Sequence, residues 1–489
     1  MVHHAAEEDK RTIRDEDFPL TYDGAALEAY WAQHMGVVFN RVGEVALSSV
    51  PFCCKIAAIY LKNYIFPASG EEYEQRKAEE QRALAIQLRE LLVALGPAFV
   101  KLGQVLSTRP DFFPGPVLHE LQALCDSVPS FPTPQALEVI ERELGRPVES
   151  MFVGLDKNSV PVAAASLGQV YRCQLRREGS DRLVDVALKV QRPDMIQAVS
   201  LDLYVMRHFM HYLENVEGFL MQVGILAERK QFNLNMFDGF AAASYSEVDY
   251  EHEASNQETF ARKLAAIGMD KVYIPAVYRE GTRRRVLSTE WISGEQLSKS
   301  DPAVIRELIT TGVECFLGQL LEMGFFHGDP HAGNLLVNEK GQLVLIDFGL
   351  CAVVDMPSTV VLTASLVHLM RGNTAELIND MIKLGFLPDD VDKSALLPIL
   401  DSIFTKARLA RAAAGTAGFQ SHTRGLQFQA VSRQLNEVFF EFPFVVPEYF
   451  ALVTRALIVL EGIAVIGDPS FDIFSASYPY AAKRAMRFF

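Results

Sequence analysis

Cysteine is scarce in this chain: Cys53, Cys54, Cys125, Cys173, Cys315 and Cys351 are scattered through 489 residues with no Cys-x-x-Cys pair. That pattern excludes a disulfide scaffold or a cysteine zinc framework and fits reduced thiols in a reducing compartment. Basic charge is also short. At a net charge of -15 no basic stripe is available to neutralise phosphates in quantity, which argues against nucleic acid as a partner. Long apolar runs are missing as well. Residues 45–66 are interrupted by Pro51, Lys55 and Lys62, and residues 446–467 by Arg455 and Glu461. Neither is an uninterrupted run of membrane-spanning length, so peripheral contact is the form of membrane association left open. Residues 5–17 are of mixed charge and largely acidic, unlike a signal peptide or an acid-poor transit peptide. The expectation is a protein that works where it is made, or a mature or truncated form.

What is present describes an ordinary folded protein. Hydrophobic residues make up 49% and charged residues 22%, and the length suffices for two to four units with a large core. The first 75 residues carry amphipathic, helix-like text ending at a linker near Pro67-Ala68-Ser69-Gly70. From Gln81 the positions Leu84, Leu88, Leu91, Leu92 and Leu95 recur at helical spacing, and Gly96-Pro97 stops or bends that helix. Further helices are expected over 100–106, 116–124 and 134–144. Texture then changes: 160–175 and 184–191 are β-rich runs joined by a polar turn, a hairpin signal. Helices follow over 193–215 and 230–267, a strand over 284–292, and a helix over 302–323. From about 350 the text is helical to the end. This order predicts an α+β, bilobal, protein-kinase-like layout. An N-terminal helical region (1–80) and a helical extension (81–150) precede an N-lobe (151–292) and a helical C-lobe (293–489).

The segment His327-Gly328-Asp329-Pro330-His331-Ala332-Gly333-Asn334, followed by Asp347-Phe348-Gly349, carries the strongest chemistry. It sets an aspartate, an asparagine five residues later and a second aspartate on a strand-turn-strand, the arrangement by which kinase-like folds hold Mg2+ and the phosphates of ATP. Asp329 would reach the accepting hydroxyl or water, while Asn334 and Asp347 would hold the metal. A turn rich in Asp, Pro, Gly and Asn needs no ligand, but the combination and spacing outweigh that reading. Gly328 stands where protein kinases usually carry an arginine.

Lys189, in Val186-Ala187-Leu188-Lys189-Val190, either enters a cleft and binds phosphate oxygens or protects an edge strand. Its partner would come from Glu247-Val248-Asp249-Tyr250-Glu251-His252-Glu253, whose carboxylates cannot all share one helical face. Ala163, Ala164, Ala165 and Ser166 occupy the place of a glycine-rich phosphate loop, and alanine restricts the backbone there. Backbone groups of Glu290 and Ile292 in Thr289-Glu290-Trp291-Ile292-Ser293-Gly294 are placed for an adenine edge. Lys101-Leu102-Gly103-Gln104 puts Lys101 and Gln104 on one helical face, which by itself reads as solvated surface.

Taken together these residues resemble the UbiB-type atypical kinases, the AarF-domain-containing family, from about residue 85 onward. The marks are Lys-x-Gly-Gln at 101–104, Ala-Ala-Ala-Ser at 163–166, Glu-x-Asp at 247–249, His-x-Asp-Pro-His-x-Gly-Asn at 327–334 and Asp-Phe-Gly at 347–349. The resemblance implies N-terminal helices folded over the active site, with Lys101 and Gln104 facing the nucleotide and Glu247 and blocking a protein substrate. It implies a Lys189–Glu253 pair, ATP/ADP and Mg2+ as cofactors, and catalytic roles for Asp329, Lys189 and Lys101. The family is linked to isoprenoid quinones and other lipids. The implied partners are therefore a lipid or quinone-related small molecule, a membrane or lipid-droplet surface, and proteins of a biosynthetic complex. The text at 22–39 and 449–480 looks most like the plant and cyanobacterial branch, which implies a chloroplast setting on plastoglobules or thylakoids. A mitochondrial inner membrane or a bacterial cytoplasmic membrane face is the alternative. A nucleotide-binding pseudokinase scaffold is the rival reading. An ordinary protein kinase is disfavoured, since no Ala-Pro-Glu follows Asp347.

Overall fold

The computed structural model describes residues 17–65, 71–107, 115–122 with 124, 130–177, 179, 182–222, 234–329, 331–402, 447–471 and 473–486. The linker expected at Pro67-Ala68-Ser69-Gly70 lies outside them. The described residues fall into two compact units. Unit one takes those within Met1–Ser107, Phe112–His252 and Tyr278–Ser288; unit two takes those within Glu253–Val277 and Thr289–Phe489.

Unit one opens with α1 (Gly24–Trp31), α2 (Met35–Ile65), α3 (Glu71–Leu95) and α4 (Pro97–Leu106). The third of these starts ten residues before the leucine periodicity, because Glu71 to Arg82 is rich in strong helix formers that need no apolar face to propagate. The break between α3 and α4 is where the sequence placed it. Gly96 adopts φ +111°, open to glycine, and Pro97 takes the first turn of the next helix, where a missing N–H costs nothing. Then come α5 (Gly115–Gln122), α6 (Thr133–Leu144) and the single turn α7 (Val148–Met151).

The β-containing part follows: β1 (Phe152–Val153), β2 (Ala163–Ala164), β3 (Gly168–Arg176) and β4 (Leu183–Gln191). After α8 (Met195–Gln222) and α9 (Leu234–Ser246), α10 (Tyr250–Ala266) begins in unit one and continues in unit two. Next come β5 (Val272–Tyr273) of unit two and β6 (Val286–Glu290). The sheet runs β1-β3-β4-β6, with β2 added on β3. β3 and β4 form the expected antiparallel hairpin, in register from Gly168 opposite Gln191 to Arg176 opposite Leu183. Alternation along it buries Tyr171, Cys173 and Leu175 with Val186, Leu188 and Val190 against Val139, Ile140 and Phe152.

A second core in unit one joins the N-terminal helices to α8 and α9 through Trp31, Leu92, Leu95, Phe99, Ile196 and Tyr245. Pro51 sits inside α2 without ending it. As a result Met35–Ile59 is long and apolar enough to cross a membrane by length and composition alone. The sequence reading began that stretch at residue 45 and missed Val37, Val38, Phe39 and Val42 ahead of the proline. A single such helix near the start of a chain is weak evidence for a span.

Unit two contains β7 (Gly294–Gln296), α11 (Pro302–Gly318) with a π-turn over Gln319–Met323, β8 (Phe325–His327), β9 (Leu335–Asn338), β10 (Leu343–Leu345) and β11 (Cys351–Val353). Helices α12 (Met356–Arg371), α13 (Thr374–Lys383), α14 (Glu448–Gly467) and α15 (Ile473–Ala485) also belong to it. Its strands pair in the order β5-β10-β9-β7, with β11 on β8. The core of α11, Ile305, Ile309, Val313 and Phe316, meets Ala456, Leu460 and Ile463 of α14. Among the described residues Cys53, Cys54, Cys173, Cys315 and Cys351 are free thiols.

Gly103 explains the glycine of Lys-x-Gly-Gln within unit one. A Cβ there would overlap Leu124 Cδ1 and lie 2.7 Å from Leu92 Cδ1, so α4 reaches its neighbours through that gap. Gly103→Val is expected to lower the unfolding free energy by about 1–3 kcal/mol, read by denaturant titration. An unchanged midpoint would contradict this packing.

Candidate functional site

In unit two the site is built around His327. It is buried, its backbone N–H donates to Gln319 Oε1 at 2.9 Å, and its ring meets Phe348 edge-on at 5.0 Å between centroids. Phe260 of α10 packs on Phe348, also at 5.0 Å, so three aromatic side chains lock helix, loop and Asp-Phe-Gly segment together. Nδ1 lies 3.3 Å from the Asp329 N–H, which has a proton to give, and so acts as acceptor. The proton must then be on Nε2, which donates to the Ile346 carbonyl at 3.2 Å. Burial holds the imidazole below its ordinary pKa even with Asp329 and Asp347 nearby, consistent with a neutral ring.

One imidazole thus ties the backbone of Asp329 to the residue before Asp347. Asn334 adds a second tie: its side-chain amide donates to the Asp329 carbonyl at 2.9 Å, and its own carbonyl accepts from Ile346 N–H at 3.1 Å. Asp347 itself takes φ +64°, a left-handed conformation costly for a residue with a Cβ, and its Oδ1 accepts from Gly349 N–H at 3.3 Å. Strain of that kind persists only where the surroundings impose it, and here the aromatic lock and the His327 bridge do so.

Gly328 has a packing reason. A Cβ at that position would sit 2.8 Å from Leu350 Cγ, and the Gly328 N–H donates to the Leu350 carbonyl at 2.8 Å. A long side chain at 328 would have to displace Leu350. An arginine does reach the loop from elsewhere: Arg455 of α14 places Nη2 3.0 Å from Asp329 Oδ1. Sequence reading recorded Arg455 only as a charge breaking an apolar run. The signal was there, since a lone arginine in a buried helix needs a carboxylate.

Glu253 is buried on α10, and a Cβ placed on Gly349 would lie 3.7 Å from its Oε2 and 3.4 Å from Asp347 Oδ1. Burial first, then the charges of Glu253 and Asp347, push the Cys351 thiol far up. Carboxylates and an amide oxygen gathered on one frame are the hard donors that suit Mg2+. Among the described residues no group of three or more His, Cys, Asp or Glu makes a metal cage. The set fits an ion that is completed by phosphate and water oxygens. The adenine-edge expectation narrows, because the Glu290 N–H donates to the Ala276 carbonyl at 2.8 Å. Its carboxylate accepts from Tyr273 Oη at 2.6 Å and from the Ala276 N–H at 3.2 Å. The Glu290 carbonyl and the half-buried Ile292 remain as the backbone groups of that expectation.

In unit one Lys189 lies on β4 between β3 and β6, which removes the edge-strand reading. Its Nζ sits over the Tyr250 ring, 5.0 Å from the centroid. Ala163 and Ala164 form β2 against Val170 and Gln169, and the Ala165 N–H donates to the Gly168 carbonyl at 2.8 Å, closing a tight turn through Ser166. Arg192 braces that turn through its backbone N–H to the Leu167 carbonyl at 2.9 Å and its Nη2 to the Ala165 carbonyl at 3.2 Å.

The acidic run does not form one helix, as the sequence argument assumed. It breaks between α9 and α10, where Gln191 Nε2 holds the Val248 carbonyl at 2.8 Å and Tyr250 N–H donates to the Arg284 carbonyl at 2.9 Å. The break sets Glu247 opposite α4, with Lys101 Nζ 2.6 Å from Glu247 Oε1. Gln104 instead donates from Nε2 to the Leu124 carbonyl at 3.1 Å. Within unit one Lys101 therefore meets Glu247, while the Gln104 amide is engaged by the Leu124 carbonyl. Lys189 and Glu253 fall in different units.

The His327 to Asn334 loop and the Asp347-Phe348-Gly349 turn, carried on short paired strands of unit two, are those of a kinase-like protein. A family model described as the ABC1 atypical kinase-like domain matches residues 123–381, just over half of the chain. The chain belongs to that family. It is 39% identical over 423 residues to Protein ACTIVITY OF BC1 COMPLEX KINASE 3, chloroplastic, of Arabidopsis thaliana, covering 85% of this chain and 56% of that one. To the uncharacterized protein sll0005 of Synechocystis it is 38% identical over 436 residues, covering 87% and 59%. To slr1919 of the same organism it is 36% identical, covering 85% and 68%. These relatives are of the plant and cyanobacterial branch. The chain spans less than two thirds of the length of the first two. Among solved structures, the complex of Rv3197 with erythromycin from Mycobacterium tuberculosis matches with a TM-score of 0.50 at 23% identity. It covers 83% of this chain and 97% of that one, and shares the fold.

The neutral His327 carries a pH signature. A histidine whose folded pKa is depressed contributes stability that is present above its unfolded value near 6.5 and is lost as pH falls below it. The stability advantage of the native chain over His327→Gln is therefore expected to be larger at about pH 7.5 than at about pH 5.5. Unfolding midpoints at the two pH values measure it, and a constant difference would contradict the neutral bridge.

Proposed function

We propose that this chain binds Mg-ATP and turns it over, transferring the terminal phosphoryl group to water or to a small-molecule or lipid acceptor. The observation that supports this reading best is the left-handed Asp347, held on one frame with Asn334 and Asp329 by the His327 bridge. Asn334 and Asp347 would hold Mg2+, which when bound neutralises charge on the phosphate oxygens. Asp329 orients the attacking hydroxyl or water. Lys189 binds phosphate oxygens, and Ala163, Ala164, Ala165 and Ser166 present a stiff backbone turn to the nucleotide. The Glu290 carbonyl and Ile292 take the adenine edge. Phosphoryl transfer needs positioning and charge neutralisation more than covalent help, and these groups supply both.

The setting we propose is isoprenoid quinone or other lipid metabolism in a plastid, supported by the family resemblance and by relatives whose names carry the word chloroplastic. An exposed apolar side of α2, with Phe39, Leu47, Val50 and Leu61, is compatible with work at a lipid surface. The alternative of a nucleotide-binding scaffold draws on the Lys101–Glu247 ion pair, which commits a lysine of the Lys-x-Gly-Gln helix. Retention of Lys189, Asp329, Asn334 and Asp347 together favours turnover.

With anionic liposomes and quinone-precursor mimics present, Asp347→Asn is expected to reduce Mg-ATP hydrolysis by about 100-fold or more. Hydrolysis at the native rate in that variant would remove the site assignment, and nucleotide binding without turnover in the native chain would favour the scaffold.

A further inference from the structure

Arg455 lies in α14 among Val453, Ala456 and Leu460, all buried, on a helix seated against α11. Only about a fifth of its side chain is exposed. Drawing a guanidinium out of water is costly unless a charge meets it. The charge it meets is Asp329 Oδ1, at 3.0 Å from Nη2. That oxygen is shielded from solvent, and among the described residues no well-aligned hydrogen bond reaches it, so the Arg455 contact is an ion pair holding one specific oxygen. The backbone of Asp329 is fixed independently by His327 and Asn334. With the main chain set and Oδ1 held, rotation of the carboxylate is restricted and Oδ2 is presented in one direction. The arginine absent from position 328, where Leu350 fills the space, is thus matched by one from α14 that addresses the aspartate directly.

We infer that Arg455 is a positioning residue for the reaction, orienting the Asp329 carboxylate toward the attacking group through its contact with Oδ1. The inference rests on the reading of Asp329 as the reacting carboxylate in Mg-ATP turnover.

Steady-state Mg-ATP hydrolysis by the full chain tests it, with kcat and KM separated. Arg455→Met is expected to lower kcat about 10- to 100-fold while KM for ATP stays within about twofold, since orientation and not binding is lost. Arg455→Lys, which keeps the charge, should recover part of kcat. Adding Arg455→Met to Asp329→Asn should cost nothing further, because the two act as one unit. An unchanged kcat in Arg455→Met, a loss confined to KM, or losses that multiply in the double variant would each overturn the inference. Should Asp347→Asn hydrolyse like the native chain, the Mg-ATP reading fails on its own account. If no turnover is found in the native chain, thermal unfolding of the native chain, Arg455→Met, Asp329→Asn and the double variant reads the pair. Losses of Tm that are non-additive by about 2–4 °C support the contact, and additive losses overturn it.

Discussion

The imidazole of His327 is the constraint on which the site in unit two depends. A neutral ring can donate from one nitrogen and accept at the other, and only in that state can it hold the Ile346 carbonyl and the Asp329 N–H together. Burial beside Phe348 and Phe260 lowers its pKa and so disfavours the charged ring. Loss of the bridge would release both the loop bearing Asp329 and the turn that forces Asp347 into positive φ. In the proposed reading the carboxylates are the reactive groups, yet their placement is a consequence of aromatic packing and one proton on Nε2.

Much of this was legible in the sequence. The hairpin of β3 and β4, the stop at Gly96-Pro97 and the strand before Asp347 follow from alternation, from glycine and proline chemistry, and from short β-branched runs. The motif order pointed to the family that the comparisons show. What was not legible depended on contacts distant in sequence. Nothing near Gln104 signals that its amide turns to Leu124, and the breaking of the acidic run depends on Gln191 and Arg284. Arg455 lies 126 residues beyond Asp329 (455 minus 329), so no local spacing could link them. The start of α3 at Glu71 was missed because a polar helix has no apolar period to read.

The substituted glycines and alanines have a common logic. Where protein kinases use a flexible glycine loop, this chain has a turn through Ala165 and Ser166 braced by Arg192. Where they carry an arginine beside the aspartate, it has a glycine closed over by Leu350. Both exchanges trade mobility for fixed geometry. A site built that way suits one acceptor held in place better than varied protein segments, which is the sense of the proposed reading.

The central claim, that these residues form an Mg-ATP site, is tested most directly by the affinity of the purified chain for ATP with Mg2+ and with Mg2+ removed by chelation. The account predicts binding at least about 10-fold tighter with Mg2+, a difference lost in Asp347→Asn, because Asn334 and Asp347 would hold the ion that neutralises the phosphates. Equal affinity in the two conditions, or an Mg2+ effect that survives in Asp347→Asn, would contradict it.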